Sequence, residues 1–334
     1  MIPPIPRPTI YDVAARAGVS KSLVSLVLRG SANVSPSRRR AVDAAIEELG
    51  YRPSRAASSL AGSRSRTIGV VIDDFGNPWF VDLLRGLRSV LDPEEFHVTV
   101  ADLQLDAVSG RNPVDGFLAM HAEGLVLAAE PEPAMLERLT IPTVVAGSRE
   151  CIPSGADIVA TDDVLGARMA LQHLFALGHR SIGHLTGRSG AARLRLAGYR
   201  ESMSEAGLPA LVTGELGGTT EGAGYAAAGE LLDDHPGVTA IFAANDTMAL
   251  GALAALRERG REVPRQVSVA GYDNTAIAAA SYLNLTSVDN HSDDIGVDAA
   301  RALLARIGDP EREPRHILRK PSLVTRSSTT KPPP

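Results

Sequence analysis

Polar and aromatic side chains cluster just after several stretches of this 334-residue chain that read as β-strands. Asp73, Asp74, Asn77, Trp79 and Phe80 follow TIGVVI (67–72). Asn245 and Asp246 follow TAIFAA (239–244), and Asp273 and Asn274 follow VSVAGY (267–272). Arg195 lies near the start of the helix after SIGHL (181–185). Ligands of open parallel sheets bind outside the carboxyl ends of the strands. Carboxylates, amides and a guanidinium make bidentate hydrogen bonds to neighbouring hydroxyls, and aromatic rings offer faces for stacking. This set suits a polyhydroxylated ligand. Structural readings stand beside that one: Asp73 and Asp246 as helix N-caps, and Arg195 with Asp273 as an ion pair.

A second set lies near the start, in TIYDVAARAGVSKSLVSLVL (9–28). Ile10, Val13, Ala14 and Ala17 recur at i, i+3, i+4 and i+7, the apolar stripe of a short helix. Thr9 and Asp12 have capping-box spacing. Gly18 ends the helix where positive φ costs nothing, and Ser20 caps a second helix. Leu23, Val24, Val27 and Leu28 form the buried face of the second helix. Lys21, Ser22, Ser25, Leu26 and Arg29 form the opposite face. A short helix packed on a neighbour, with a mostly polar outer face, is how proteins present side chains to the DNA major groove. The plain alternative is a helical hairpin with a solvated face.

Catalytic chemistry finds little support. LTGRSG (185–190) lies between a strand and a helix, where an anion can sit. It lacks the Lys-Ser/Thr ending of a P-loop and is not G-x-G-x-x-G. His173, His179 and His184 are spaced by six and five, which puts them on no common helical face, so no metal site is expected. No Ser/His/Asp arrangement is discernible. Neither an enzyme nor a cofactor is expected. Cys151 is the only cysteine, so an intramolecular disulfide is impossible, as suits a reducing compartment.

These side chains need elements to hold them. A third helix runs from Ser35, as cap, and Pro36, at its first position, to a stop at Gly50; Val42, Ile46 and Leu49 close it over the first two. Arg38, Arg39 and Arg40 at its start meet phosphate or water. Residues 51–66 form a linker rich in Ser, Ala and Arg. Within it, 54–62 reads as a two-turn helix, too short to stand alone in water. Leu60 there is either a wedge between base steps in a minor groove or a side chain packed on its own domain.

From Thr67 strands alternate with helices. Strands are expected at 67–72, 97–101, 124–128, 142–146 and 157–161, and then at 181–185, 239–244 and 267–272. Helices are expected at 79–91, 163–177, 192–206 and 246–259. LQLDAVSGRNPVDGF (103–117) is a poorly patterned helix. Two successive βα series indicate two parallel-sheet subdomains.

Charge divides the chain in the same place. Residues 1–66 hold 11 Lys+Arg against 4 Asp+Glu, a balance of +7; the remainder holds 23 against 35, or −12, and the whole is −5. A basic head on an acidic body suggests that the head meets a polyanion. MIPPIPRP (1–8) reads as a disordered leader without a signal-peptide core. No run approaches the roughly 20 apolar residues of a membrane span. A cytoplasmic protein with no membrane partner is expected.

With these residues in view, Thr9–Leu28, NVSPSRRRAVDAAIEELGYRPSRAASSLAG and much of the chain beyond them resemble the lac repressor family of bacterial transcription regulators, from about Thr9 to Thr330. The resemblance implies an all-α helix-turn-helix DNA-binding head (9–53) and a hinge helix and linker (54–66). Behind them it implies an α/β effector-binding core (67–330) of two subdomains, like periplasmic sugar-binding proteins. The chain is expected to cross between those subdomains near Ala160, Asn290 and Lys320. Lys21 and Ser22 would open the recognition helix. Thr9, Tyr11, Ser20, Ser35, Tyr51 and Arg55 match positions that contact phosphate or neighbouring groups, and Leu60 matches the hinge leucine. In the cleft, Arg195, Asn245, Asp273 and Asn290 match effector-binding positions, with Asn77, Trp79 and Phe80 on the other wall.

Departures matter as much. The family usually has Arg where this chain has Leu26, and Asn where it has Arg29. Gly147 falls where some relatives carry Asp, and LGGTTEGAG (216–224) lacks an aromatic found there in others. The resemblance thus implies a homodimeric repressor that binds double-stranded palindromic DNA under control of a small-molecule effector, a sugar by preference. The KPPP ending argues against a tetramer built by a C-terminal helix bundle. A solute-binding protein of the periplasmic type is the alternative.

Overall fold

A computed structural model describes residues 8–28, 31, 33–51, 65–109 and 112–334. The hinge helix expected at 54–62 lies outside the described residues, as do Arg29, Arg55 and Leu60. The chain divides into two compact units, 1–65 and 66–334.

The first unit is a small helical head. Its first helix, Ile10–Ala17, is capped by Thr9, whose hydroxyl accepts from the Asp12 amide while the Asp12 carboxylate accepts from the Thr9 amide at 2.7 Å. Gly18 ends it at φ +65°. The second helix is Lys21–Leu28, and the Ser20 hydroxyl accepts from the Leu23 amide at 3.2 Å. Val13, Val24 and Val42 are fully buried at the centre. Each contributes about 1.5–3 kcal/mol by leaving water. Leu28 departs from the expected buried face: it is 37% exposed, because Val24 and Val27 already fill the contact with the third helix, Pro36–Leu49. Ser35 holds the N-cap position of that helix without capping it; its hydroxyl faces that of Ser37 at 3.3 Å.

The second unit contains two six-stranded sheets. Six parallel strands make the first: β1 (Thr67–Ile72), β2 (His97–Asp102), β3 (Gly124–Ala128), β4 (Thr143–Ala146), β5 (Asp157–Thr161) and β11 (His316–Arg319), in the order β11-β5-β4-β3-β1-β2. The second holds β6 (Ile182–Leu185), β7 (Leu211–Thr213), β8 (Ala240–Ala243), β9 (Ser268–Tyr272), β10 (Thr286–Asp289) and β12 (Ser322–Val324), in the order β12-β10-β9-β8-β6-β7. Strand β12 pairs antiparallel with β10, so this sheet is not wholly parallel. The chain passes between the sheets after β5, after β10 and between β11 and β12.

Buried strands read as continuous apolar runs, which is why β1 and β3 are legible in the sequence. Residues 103–117 differ from a single weak helix: Leu103–Ser109 and Pro113–Ala119 are separate helices, the second capped by Asn112. Helices Glu221–Asp234 and Ser292–Gly308 fall where no helix was expected. Helix 292–308 packs on helix Trp79–Leu91 at very close range. A Cβ on Gly86 would strike the Asp293 carbonyl, and one on Gly296 the Leu83 carbonyl. That contact seats Trp79 and Phe80 at the end of the first sheet.

Candidate functional site

In the head, the outer side of helix 21–28 carries Lys21, Ser22 and Leu26, all exposed, with Ser25 half-buried beside them. Tyr11, 64% exposed on the first helix, joins that surface. Lys21 Nζ donates to the Tyr11 hydroxyl at 3.2 Å and stands 4.8 Å from the ring centroid. The pair thus holds a flexible ammonium above the helix in advance of any contact. Thr9, Ser20 and Ser35 are exposed too. Tyr51 is not: at 8% exposure it packs in the head's core against the three helices. Of the three arginines opening the third helix, Arg39 donates to the Ser31 carbonyl at 2.6 Å, while Arg38 and Arg40 are exposed.

In the larger unit, Asp73, Asn77, Trp79, Phe80, Arg195, Asn245, Asp273 and Asn290 line one cleft between the two sheets. Its volume is about 570 Å³, counted out to the open mouth. Strand β9 ends by throwing Asp273 and Asn274 into left-handed backbone, φ +96° and +50°. Asn274 is held there by Arg326 Nη2 at 2.6 Å, and itself donates to Asp289 at 2.9 Å. Asp273 is thereby aimed at Arg195.

Arg195 is the centre of the cleft floor and only 7% exposed. Its Nε donates to Asp163 at 2.8 Å, its Nη1 to the Ala244 carbonyl at 2.6 Å, and its Nη2 pairs with Asp273 at 3.2 Å. The guanidinium carbon lies 3.6 Å from the centroid of the Tyr272 ring. That ring has room because residue 166 is glycine; a Cβ there would overlap the Tyr272 hydroxyl. Burial opposes the charge on Arg195, but Asp163 and Asp273 outweigh it and keep the group protonated. The ion pair foreseen as a structural alternative is therefore present within the cleft. Asn290 donates to Asp273 at 2.8 Å, and Thr161 donates to the Asn290 carbonyl at 2.6 Å, so the floor is tied to the crossover after β10.

Other residues fall into supporting roles. Asn245, not Asp246, caps helix Asp246–Glu258: its Oδ1 accepts from the Met248 amide at 2.7 Å. Asp246 is buried beneath the floor and accepts from Thr275 and Ser287. Asp73 accepts from the Glu130 amide at 2.8 Å and caps no helix. His184 stacks between Tyr199 and Phe242 and donates from Nδ1 to the Phe242 carbonyl; burial pushes it down to about 3. His179 and His173 have other partners, and among the described residues no cluster could hold a metal ion.

Ser148, Arg149, Asp163 and Thr219 also line the cleft and were not singled out from the sequence. The signal for three of them was present: Ser148 and Arg149 follow β4 and Asp163 follows β5, at strand carboxyl ends. Ser148 donates to Asp163 at 2.6 Å, and the Arg149 guanidinium lies 5.7 Å from the Trp79 ring centroid.

The buried carboxyls give the core a pH signature. Burial, with the charge of Asp273 behind it, pushes Asp246 up to about 7; burial, against the pull of Arg195, pushes Asp273 up to about 6. Both hold their proton more tightly folded than unfolded, where Asp titrates near about 3.9. Their stabilising contribution is complete below about pH 4 and is lost as pH rises through 6 to 7. Asp246→Asn is expected to flatten the fall in melting temperature between about pH 5 and 8. An unchanged slope in scanning calorimetry would contradict this.

Comparison with known proteins agrees with this geometry. Residues 9–54 match the family model described as bacterial regulatory proteins, lacI family, and residues 171–329 match a periplasmic binding protein-like domain. The HTH-type transcriptional regulator CelR of Thermobifida fusca is 36% identical, covering 96% of this chain and 98% of that protein. Among solved structures, a transcriptional regulator CelR–cellobiose complex is 34% identical with a TM-score of 0.71, over 96% of this chain and 100% of that one. The lac repressor dimer bound to operator and the anti-inducer ONPF is 29% identical with a TM-score of 0.81, over 97% of this chain and 100% of that one. The helical head, the paired sheets and these matches together place the chain in the lacI family of bacterial regulatory proteins.

Proposed function

We propose that the chain is a transcription repressor that binds a palindromic operator as a homodimer and is released or recruited by a neutral carbohydrate held in the cleft. One observation carries the ligand class. Trp79 Nε1, a donor, and Asn290 Oδ1, an acceptor, are buried and have no partner among the described residues, and both residues line the cleft. Unmet buried polar groups are costly. A hydroxyl both donates and accepts, so a polyol is the neutral ligand class that could satisfy both kinds of group, and Asp73, Asn77 and Arg149 line the same cleft. The cellobiose bound by the CelR relative belongs to that class.

The cleft binds and does not transform. Arg195 is neutralised by Asp163 and Asp273 and is positioned as a hydrogen-bonding floor. The homodimer reading draws on the family and on an open groove where the exposed Tyr282 stands beside the half-buried Leu250, Leu253 and Leu283. No helix among the described residues is long and apolar enough to cross a membrane.

The test has two parts. Selection from random duplexes should yield a palindrome bound by two chains. Cellobiose, ribose and neutral monosaccharides should then be screened by thermal shift. A ligand at hundredfold excess over its Kd stabilises the protein by roughly 2.7 kcal/mol, about 5 °C here. The same sugar must change operator affinity. If no carbohydrate does either, the effector assignment fails.

A further inference from the structure

The two walls of the cleft touch at its mouth through the carboxylates of Glu130 and Glu150. Glu130 follows β3 in the first sheet; Gly190 opens helix Gly190–Glu205, after β6 in the second. The Gly190 amide donates to Glu130 Oε1 at 2.8 Å, and the Glu150 amide donates to both carboxylate oxygens at 3.1 Å. Glu150 reaches across in turn, its Oε1 2.9 Å from Arg193 Nη1. A carboxylate at a helix N-terminus is favoured by the dipole and makes strong charge-assisted hydrogen bonds. The approach is backbone to backbone: a Cβ on Gly190 would lie 2.7 Å from the Arg149 Cα and carbonyl carbon.

This contact stands between two spaces. Inward is the cleft with Arg195. Outward is an open chamber of about 1250 Å³, lined by Glu130, Cys151, Arg188 and Leu216; Ser189 lines both. We propose that Glu130 is a latch across the cleft mouth, a positioning residue that fixes the Arg149 wall to the helix carrying Arg195. Ligand entry then requires the Gly190–Glu130 hydrogen bond and the Glu150–Arg193 ion pair to part, while the Glu150 amide keeps the Glu130 carboxylate in place on its own wall. That consequence rests on the cleft being a ligand site, whereas the latch itself does not.

Cys151 lies in the outer chamber, so the reporter is a thiol inside the cleft: Asn77→Cys in a Cys151→Ser background reports the latch without any ligand. The experiment is the rate at which N-ethylmaleimide alkylates that thiol in the full chain. Glu130→Ala is expected to raise the rate about tenfold, as loss of charge-assisted hydrogen bonds shifts the closed–open balance. Glu130→Gln, which keeps one carbonyl acceptor, should raise it less. Gly190→Ala, which keeps the carboxylate but forces the walls apart, should raise it as well. Equal rates in the reporter chain, Glu130→Ala and Glu130→Gln overturn the latch. So does a rise seen only in variants that have lost their cooperative melt. Faster labelling with no carbohydrate response in the unsubstituted chain would retain the latch and remove the effector reading.

Discussion

Arg195→Ala is expected to abolish the effector response and to destabilise the larger unit by about 3–5 kcal/mol, the typical result of stranding buried charge. The substitution removes the cation that lies between Asp163 and Asp273, takes a donor from the Ala244 carbonyl and uncovers the Tyr272 ring. Loss of response alone would therefore be ambiguous. A second variant separates the two effects. Asp273→Asn in the Arg195→Ala background removes one stranded carboxylate, so part of the melting temperature should return while the response does not. Coupling of this kind is expected between groups in one hydrogen-bonded network. If the double variant is no more stable than Arg195→Ala, charge stranding is not what the arginine prevents. If Arg195→Ala still responds to the effector, the cleft floor has been misassigned.

The second large effect concerns the operator. Leu26→Arg is expected to change the preferred base at one position of each half-site. Leu26 is 40% exposed on the same side as Lys21 and Ser22, while Val24 and Val27 turn inward. An apolar side chain there offers contact to a thymine methyl, whereas a guanidinium pairs bidentately with guanine O6 and N7. A good pair of that kind is worth about 1–3 kcal/mol of discrimination, roughly 5–150-fold. Binding-site selection with both proteins reads the change directly. Identical consensus sequences would remove Leu26 from the reading surface. Head stability should barely move, because the residue contributes little to the core of Val13, Val24 and Val42.

Much of this protein is legible in its residues taken one segment at a time. The capping box at Thr9, the stop at Gly18 and the apolar runs of β1 and β3 are local signals, and local physics made them. The rule that ligands meet the carboxyl ends of parallel strands picks out Asp73, Asn245 and Asp273 without any tertiary contact. Residues 221–234 and 292–308 are harder. Their small residues, such as Gly224 and Gly296, weaken helix propensity locally and are explained only by the helix packed against them.

The order of elements, the basic head, the family and eight of the side chains that line the cleft are written in the residues themselves. How those side chains are shared is a matter of long-range packing. It put Arg195 between two carboxylates separated from it by 32 and 78 positions, buried Asp246 against Thr275 and Ser287, and moved Tyr51 from a surface to a core. It also brought Glu130 onto Gly190. The physical reason is distance along the chain. Caps and stripes are fixed within a few residues, whereas ion pairs and burial depend on which segments the sheets bring together.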